Sequence, residues 1–234
     1  MGRTWHRRRC KTCGYDESST AHTLFRKLKF PLPVAFTMVC QLTTMKKGMS
    51  TLEISRQHGI HQETAWFFKR KVQQAMSAFD VESLAGLVEA DETVIGGFEP
   101  GAVGRSKGRR KNVEIAVELG PEVSKIGRAR MIRAKVKPIA DFSSEEISKA
   151  MDHMMDTNAV VVTDEWRSYR KARRTSIHLP IPSEKGVAMP EIHRLIVNRK
   201  NWTRGTHHKV CGFYLEQYLN EFFCRFNFRN CLNS

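Results

Sequence analysis

Apolar residues recur at three- and four-residue spacing over residues 32–46 and 50–78, a periodicity that predicts helices. The second stretch is broken. The string Ser50-Thr51-Leu52-Glu53-Ile54 starts with an N-capping serine, the helix stops at Gly59, and a new one begins around His61-Gln62-Glu63-Thr64-Ala65. After a link near 83–86 the pattern changes from helical to alternating. Residues 87–95 read as a strand closed by Gly96-Gly97, and 113–119 and 129–139 read as two more. Residues 143–155 are helical, with Ser143 or Ser144 capping ahead of Glu145-Glu146. Residues 159–163 form a short strand, apolar up to its final Thr163, of the kind buried at a sheet's centre, and Asp164 stands at its end. Two further helices are predicted at 190–204 and 213–229.

Three strands, a helix, a central strand and more helices make a mixed α/β layer fold. The architecture predicted is a ribonuclease H-like mixed sheet with flanking helices over 84–234. It is preceded by a helical helix-turn-helix region at 26–80 and half a zinc ribbon at 1–25. In a helix-turn-helix the second helix lies in the major groove. His61, Gln62 and Thr64 at its start, with Lys69 and Arg70 further along, are therefore expected to contact DNA; the alternative is a helical hairpin used only for packing.

Charge narrows the partner. The formal net charge is +15, spread over Arg7-Arg8-Arg9, a Gly- and Lys-rich loop at 101–111, and residues 170–174. Such a field favours a polyanion, because Lys and Arg displace counterions condensed on phosphate. No apolar run approaches the roughly 20 residues of a membrane-spanning helix, and the basic start lacks the apolar stretch of a signal peptide. A cytoplasmic, nucleoid-associated protein with no membrane partner is expected. Among six cysteines, Cys10 and Cys13 form a Cys-x-x-Cys-Gly knuckle, while Cys40, Cys211, Cys224 and Cys231 are expected to pack in cores. Tetrahedral zinc wants two such knuckles, and only His6 and His22 lie near enough to replace the second, so Cys10 and Cys13 are a partial Zn²⁺ site.

Asp91 lies within the first long strand and Asp164 ends the fourth. In a ribonuclease H-like sheet these strands are neighbours, which would bring the two carboxylates together. Two carboxylates bridging Mg²⁺ or Mn²⁺ ions about 4 Å apart can activate an attacking oxygen and stabilise a departing one in phosphodiester chemistry. Acids at strand ends are common, however, and Glu89, Glu92 and Glu165 flank this pair.

The strings around these residues carry a resemblance. Val88-Glu89-Ala90-Asp91-Glu92-Thr93-Val94-Ile95-Gly96-Gly97 and Thr163-Asp164-Glu165-Trp166-Arg167-Ser168-Tyr169 resemble the signature strands of ISXO-like transposases, a DDE-class family of bacterial insertion sequences. Gly205-Thr206-His207-His208, then Tyr218-Leu219-Asn220-Glu221-Phe222 and Arg225-Phe226-Asn227, are similar to its C-terminal signature. Lys47-Gly48-Met49-Ser50 and Thr64-Ala65-Trp66 are similar to its N-terminal region. The resemblance implies that Asp91 and Asp164 ligate catalytic Mg²⁺ and places His193 where DDE enzymes usually carry Glu, with Lys200 two turns on as a phosphate contact. Glu191 and Asn198 are the alternatives for this third place. His207 and His208 are expected either to touch DNA or to cap the helix, and Trp166 and Trp202 to pack.

The activity implied is metal-dependent cleavage of the element's ends, followed by transfer of the freed 3′ end into target DNA. The partners implied are terminal inverted repeats, target DNA and further copies of the chain. A nuclease without strand transfer and a DNA-binding regulator are the alternatives. The family's usual complete ribbon and longer C-terminus imply a truncated copy here.

Overall fold

Two serines start helices as the sequence predicts. Ser50 Oγ accepts from the Glu53 N–H at 3.1 Å and Ser143 Oγ from the Glu146 N–H at 3.3 Å, each satisfying a donor that a helix start leaves free. The computed structural model describes residues 7–77, 82–96, 110–125, 127–172, 177–182, 188–207 and 210–229. The basic loop at 101–111, all but its last two residues, lies outside them, as do His6, His208 and Cys231. The chain divides into two compact units, 1–78 and 79–234.

The first unit carries a small antiparallel hairpin, β1 (Arg7–Arg9) and β2 (Asp16–Ser18), with Cys10 and Cys13 in its turn. Three helices follow. α1 (Leu32–Thr44) buries Ala35, Met38 and Leu42, one stripe at helical spacing. α2 (Thr51–His58) ends at Gly59, whose φ of 60° is the left-handed conformation that glycine adopts at least cost and that turns the chain into the next helix. α3 (Gln62–Ser77) buries Ala65, Phe68, Val72 and Met76.

The second unit is built on a five-stranded sheet of order β5-β4-β3-β6-β7. β3 (Leu87–Ile95), β4 (Lys111–Val123) and β5 (Ala129–Ile139) run antiparallel, and β6 (Val160–Asp164) and β7 (Ile177–Ile181) join β3 in parallel. This is the ribonuclease H-like mixed sheet expected. Side-chain alternation sorts its two faces. Val113, Ile115, Val117 and Leu119 of β4 meet Ile192, Leu195 and Ile196 of α6 (Pro190–Thr206) and Leu219, Phe222 and Phe223 of α7 (Leu215–Asn227). On the other face Val88, Ala90 and Ala116 meet Ile147, Ala150, Met151 and Met154 of α4 (Ser144–Met154), with Tyr169 of the short α5 (Arg167–Ala172).

β5 is an edge strand, and an edge exposes unpaired backbone groups. Asn227 covers part of it, its Oδ1 accepting from the Ala134 N–H at 2.8 Å and its Nδ2 donating to the Ala134 carbonyl at 3.0 Å. Among the described residues no helix is long and apolar enough to cross a membrane.

Candidate metal centre

β3 and β6 pair in parallel through Val88↔Val161 and Glu89↔Val162, and there the pairing ends. Carried on by two residues, the same register sets Asp164 level with Asp91. Beyond Glu89 the two strands are no longer laddered to each other, so the acids flank a gap between β3 and β6, each still paired on its outer side, Asp91 with Ile115 and Asp164 with Ile181. One carboxylate oxygen each from Asp91, Glu92 and Asp164 lies within 4.8 Å of the others. Three hard oxygen donors at that spacing fit a divalent cation of the Mg²⁺ type. Asp164 is also aimed locally, since its Oδ1 accepts from the Trp166 N–H at 3.1 Å. Behind it the Thr163 hydroxyl lies 2.7 Å from His178 Nε2, tying β6 to β7.

Strand parity separates the neighbours of this pair. Glu92 faces α5, where the Tyr169 hydroxyl lies 2.6 Å from its Oε2 and 2.8 Å from Oε1 of Glu114, the residue directly across the ladder. Glu114 is fully buried, and its Oε2 has no partner among the described residues. Burial, then the adjacent Glu92, push the Glu114 carboxyl well above the usual carboxylate range, so it holds a proton where ordinary acids have lost theirs. Burial likewise pushes the Tyr169 hydroxyl upward.

Glu89 and Asp91, of the other parity, face α6. That helix has no side-chain cap of its own. Instead Glu89 Oε2 accepts from the Ile192 N–H at 2.7 Å, so a strand residue caps the helix start and fixes the residue that follows. That residue is His193, whose Nδ1 sits 3.6 Å from Asp91 Oδ2. Burial lowers the His193 pKa, with Asp164 opposing and Lys200 adding to the fall, which favours the neutral imidazole. Lys200, seven residues on along the same helix, is half-buried. Its pKa is lowered chiefly by burial, then by Arg199 and Arg204, while Asp91 pulls it the other way.

The alternatives for the third position are placed differently. Glu191 is buried and paired with Arg194, and Asn198 is solvent-exposed. Glu92 is the member of the carboxylate group that the sequence left among flanking acids. Its signal was a second acid, Glu114, in the neighbouring strand, which becomes meaningful only once the β3–β4 register is known.

Several expectations need correction. Lys69 is 2% exposed and its Nζ donates to the Met49 carbonyl at 2.6 Å, so it is a buried tie between α3 and the segment before α2 and not a group offered to DNA. His207 stands at the C-cap of α6, the second of its two expected places, its N–H donating to the Thr203 carbonyl at 2.9 Å and its ring packing against Trp202 and Tyr218 at centroid distances of 5.1 and 4.6 Å. Cys40 and Cys211 are exposed, not core residues, and Cys224 is half-buried. Trp202 packs as expected, whereas Trp166 is 37% exposed. His61 and Gln62 are exposed at the start of α3 and Thr64 is half-buried. Arg70 donates to Gln73 Oε1 at 2.8 Å and lies over the Trp66 ring. Cys10 and Cys13 are both exposed, and backbone and side-chain hydrogen bonds from Cys13 and Thr12 bring the Cys10 thiol down to about 7.

The ISXO2-like transposase domain family matches residues 83–227, a span that holds the whole sheet and every residue of the centre. The chain belongs to the ISXO2-like transposase family. No curated protein matches it. The crystal structure of the Mos1 strand transfer complex is similar over 83% of this chain and 73% of that chain, at 10% identity and a TM-score of 0.33. At the C-terminal end of the matched span of this transposase, Asn227 clips β5, and the Arg225 guanidinium lies 5.2 Å from the centre of the Trp202 ring.

Proposed function

We propose that this transposase cleaves DNA at the ends of its element and transfers the freed 3′ end into target DNA, using divalent metal ions held by Asp91, Asp164 and His193. The observation that carries the proposal is the parallel β3–β6 register, which sets Asp164 level with Asp91 where the ladder opens. Magnesium or manganese bound there would supply an activated oxygen nucleophile and charge stabilisation for the departing oxygen. The protein's own part is to position. Asp91 and Asp164 contribute the oxygen ligands, Asp164 being pre-aimed by the Trp166 N–H.

Two residues compete for the third place. Distance favours Glu92, which lies in the carboxylate group. Commitment favours His193: Glu92 is already engaged by Tyr169 across from Glu114, whereas His193 faces Asp91 as a neutral ring with a buried Nε2 lacking a partner among the described residues. Lys200, on the same helix, holds the phosphate under attack. In the first unit, His61, Gln62 and Thr64 at the start of α3, with Arg70, read the terminal repeats. Cys10 and Cys13 supply two of the four thiolate or imidazole ligands that a zinc ion takes.

Purified full-length chain incubated with duplexes carrying the element's ends should give nicked and joined products that require Mg²⁺ or Mn²⁺. Asp91→Asn should abolish both. Cleavage that persists in that variant overturns the assignment, and cleavage without joined products leaves a nuclease.

A further inference from the structure

A second basic feature lies apart from the metal centre. The turn joining β4 to β5 lies beyond the first residue of β3, because Leu87 pairs with Leu119 and the chain continues past it to Val123. Asp91 is the middle residue of β3, four residues further along the strand from Leu87. Beside this turn is a cavity of about 560 Å³ on the α6 side of the sheet. Four arginines line it: Arg128 just before β5, Arg130 in β5, Arg194 in α6 and Arg229 just past α7. Glu122 is the acid in the lining, bonded to Arg130 at 2.9 Å, and Glu191 pairs with Arg194 from beneath.

The arginines are not merely a solvated face. Arg229 is fixed: its guanidinium donates to the carbonyls of Met131, Ile132 and Phe226 and lies 4.0 Å from the centre of the Phe226 ring. Burial lowers its pKa first, and the charges of Arg130 and Arg194 lower it further, which means that like charges crowd together in a concave site. Arg194 Nε is buried without a partner among the described residues. Crowded, partly desolvated guanidiniums are relieved by an anion with several acceptor oxygens, and their planar forks match phosphate.

We propose that this cavity is a second DNA-backbone site, which grips phosphodiesters of the duplex at a distance from the bond being cut. It rests on the reading of the chain as a transposase, because that is what makes the phosphodiester polymer the anion at hand. The helix α6 connects the two places, turning His193 toward Asp91 and the next residue, Arg194, toward the cavity. The duplex arm held at the cavity is thereby fixed in relation to the metal centre.

Arg128 and Arg130 are exposed and stand outside the metal centre, so Arg128→Gln with Arg130→Gln removes charge without touching the core. Binding of the full-length protein to a 40-base-pair duplex, followed by fluorescence anisotropy across a salt series without divalent metal, tests the site. The double variant should show a salt slope shallower by about 1 per arginine, about 2 in all, and a matching loss of affinity. A control with the same loss of charge, Lys137→Gln with Lys149→Gln, should bind like the parent. Equal losses in the two variants would mean that only net charge matters, and an unchanged slope in the arginine variant would mean that no phosphate sits there; either overturns the proposal. Because no cutting is measured, a parent protein that binds duplex through these arginines but never cleaves would count against the transposition chemistry and for the cavity.

Discussion

His193 and Glu92 both lie close to Asp91, and substitution separates what each does there. His193→Ala should weaken Mn²⁺ binding by at least about 10- to 100-fold, the range lost when even a supporting contact of a ligand is removed, with the melting temperature unchanged. Glu92→Gln keeps an acceptor for the Tyr169 hydroxyl and removes one charge opposite Glu114, so metal binding should change little. The reverse pattern in a Mn²⁺ titration would make Glu92 the third ligand. Glu114 gives a pH signature of its own. Its carboxyl ionises near the ordinary 4.5 in the unfolded chain and at a higher pH in the folded one. Over that interval the folded state binds the extra proton, so the stability this group contributes is full below the unfolded pKa and lost as pH rises toward the folded pKa. Glu114→Gln, neutral at every pH, removes that loss. Its melting temperature should therefore gain on the parent's as pH rises above the ordinary 4.5, and a constant difference across the series would show that Glu114 is ionised in the fold.

The start of α6 depends on a residue of another element. Glu89→Ala leaves the buried Ile192 N–H without its acceptor, a loss of about 1–3 kcal/mol, and frees the helix turn that holds His193. Urea melts should show the first effect, and faster amide exchange at Ile192 and His193 the second. If the amides keep their protection, α6 is held by its apolar face alone. Much at this scale was legible in the sequence. The Ser50 and Ser143 caps, the glycine at 59, the β5 boundaries and the apolar faces of α6 and α7 follow from local spacing, which local physics enforces. What escaped was short or non-local. β7 has five residues, only partly buried and with Pro180 among them, and it is tolerated because an edge strand can spare an N–H. α5 spans six residues with no apolar repeat. Lys69 looked like a DNA contact because its position in a basic helix is visible in sequence, whereas the Met49 carbonyl that accepts from it is a tertiary fact. Asp91 and Asp164 were readable as a pair, but their alignment depends on the Glu89↔Val162 register, which no local pattern encodes.

The whole molecule consists of two units, each with its own buried stripe or layer, and the second holds all the residues of the metal centre. Residues 79–234 made alone should melt cooperatively and bind Mn²⁺, but lose preference for element ends over unrelated duplex; retained preference in a competition assay would move recognition out of α3. The opening between β3 and β6 bears on how such variants should be judged. Asp91 and Asp164 are aligned by strand pairing that stops two residues short of them, and no ladder hydrogen bond spans the pair. A slip of one residue in β6 would displace Asp164 by about 3.3 Å and turn its side chain to the other face. Packing defects that loosen β6, at Val161 or Tyr169 for instance, would therefore spoil the centre while most of the sheet still holds. Turnover is thus the finer gauge of this core: catalysis should fade at temperatures and denaturant concentrations where spectroscopy still reports a folded chain.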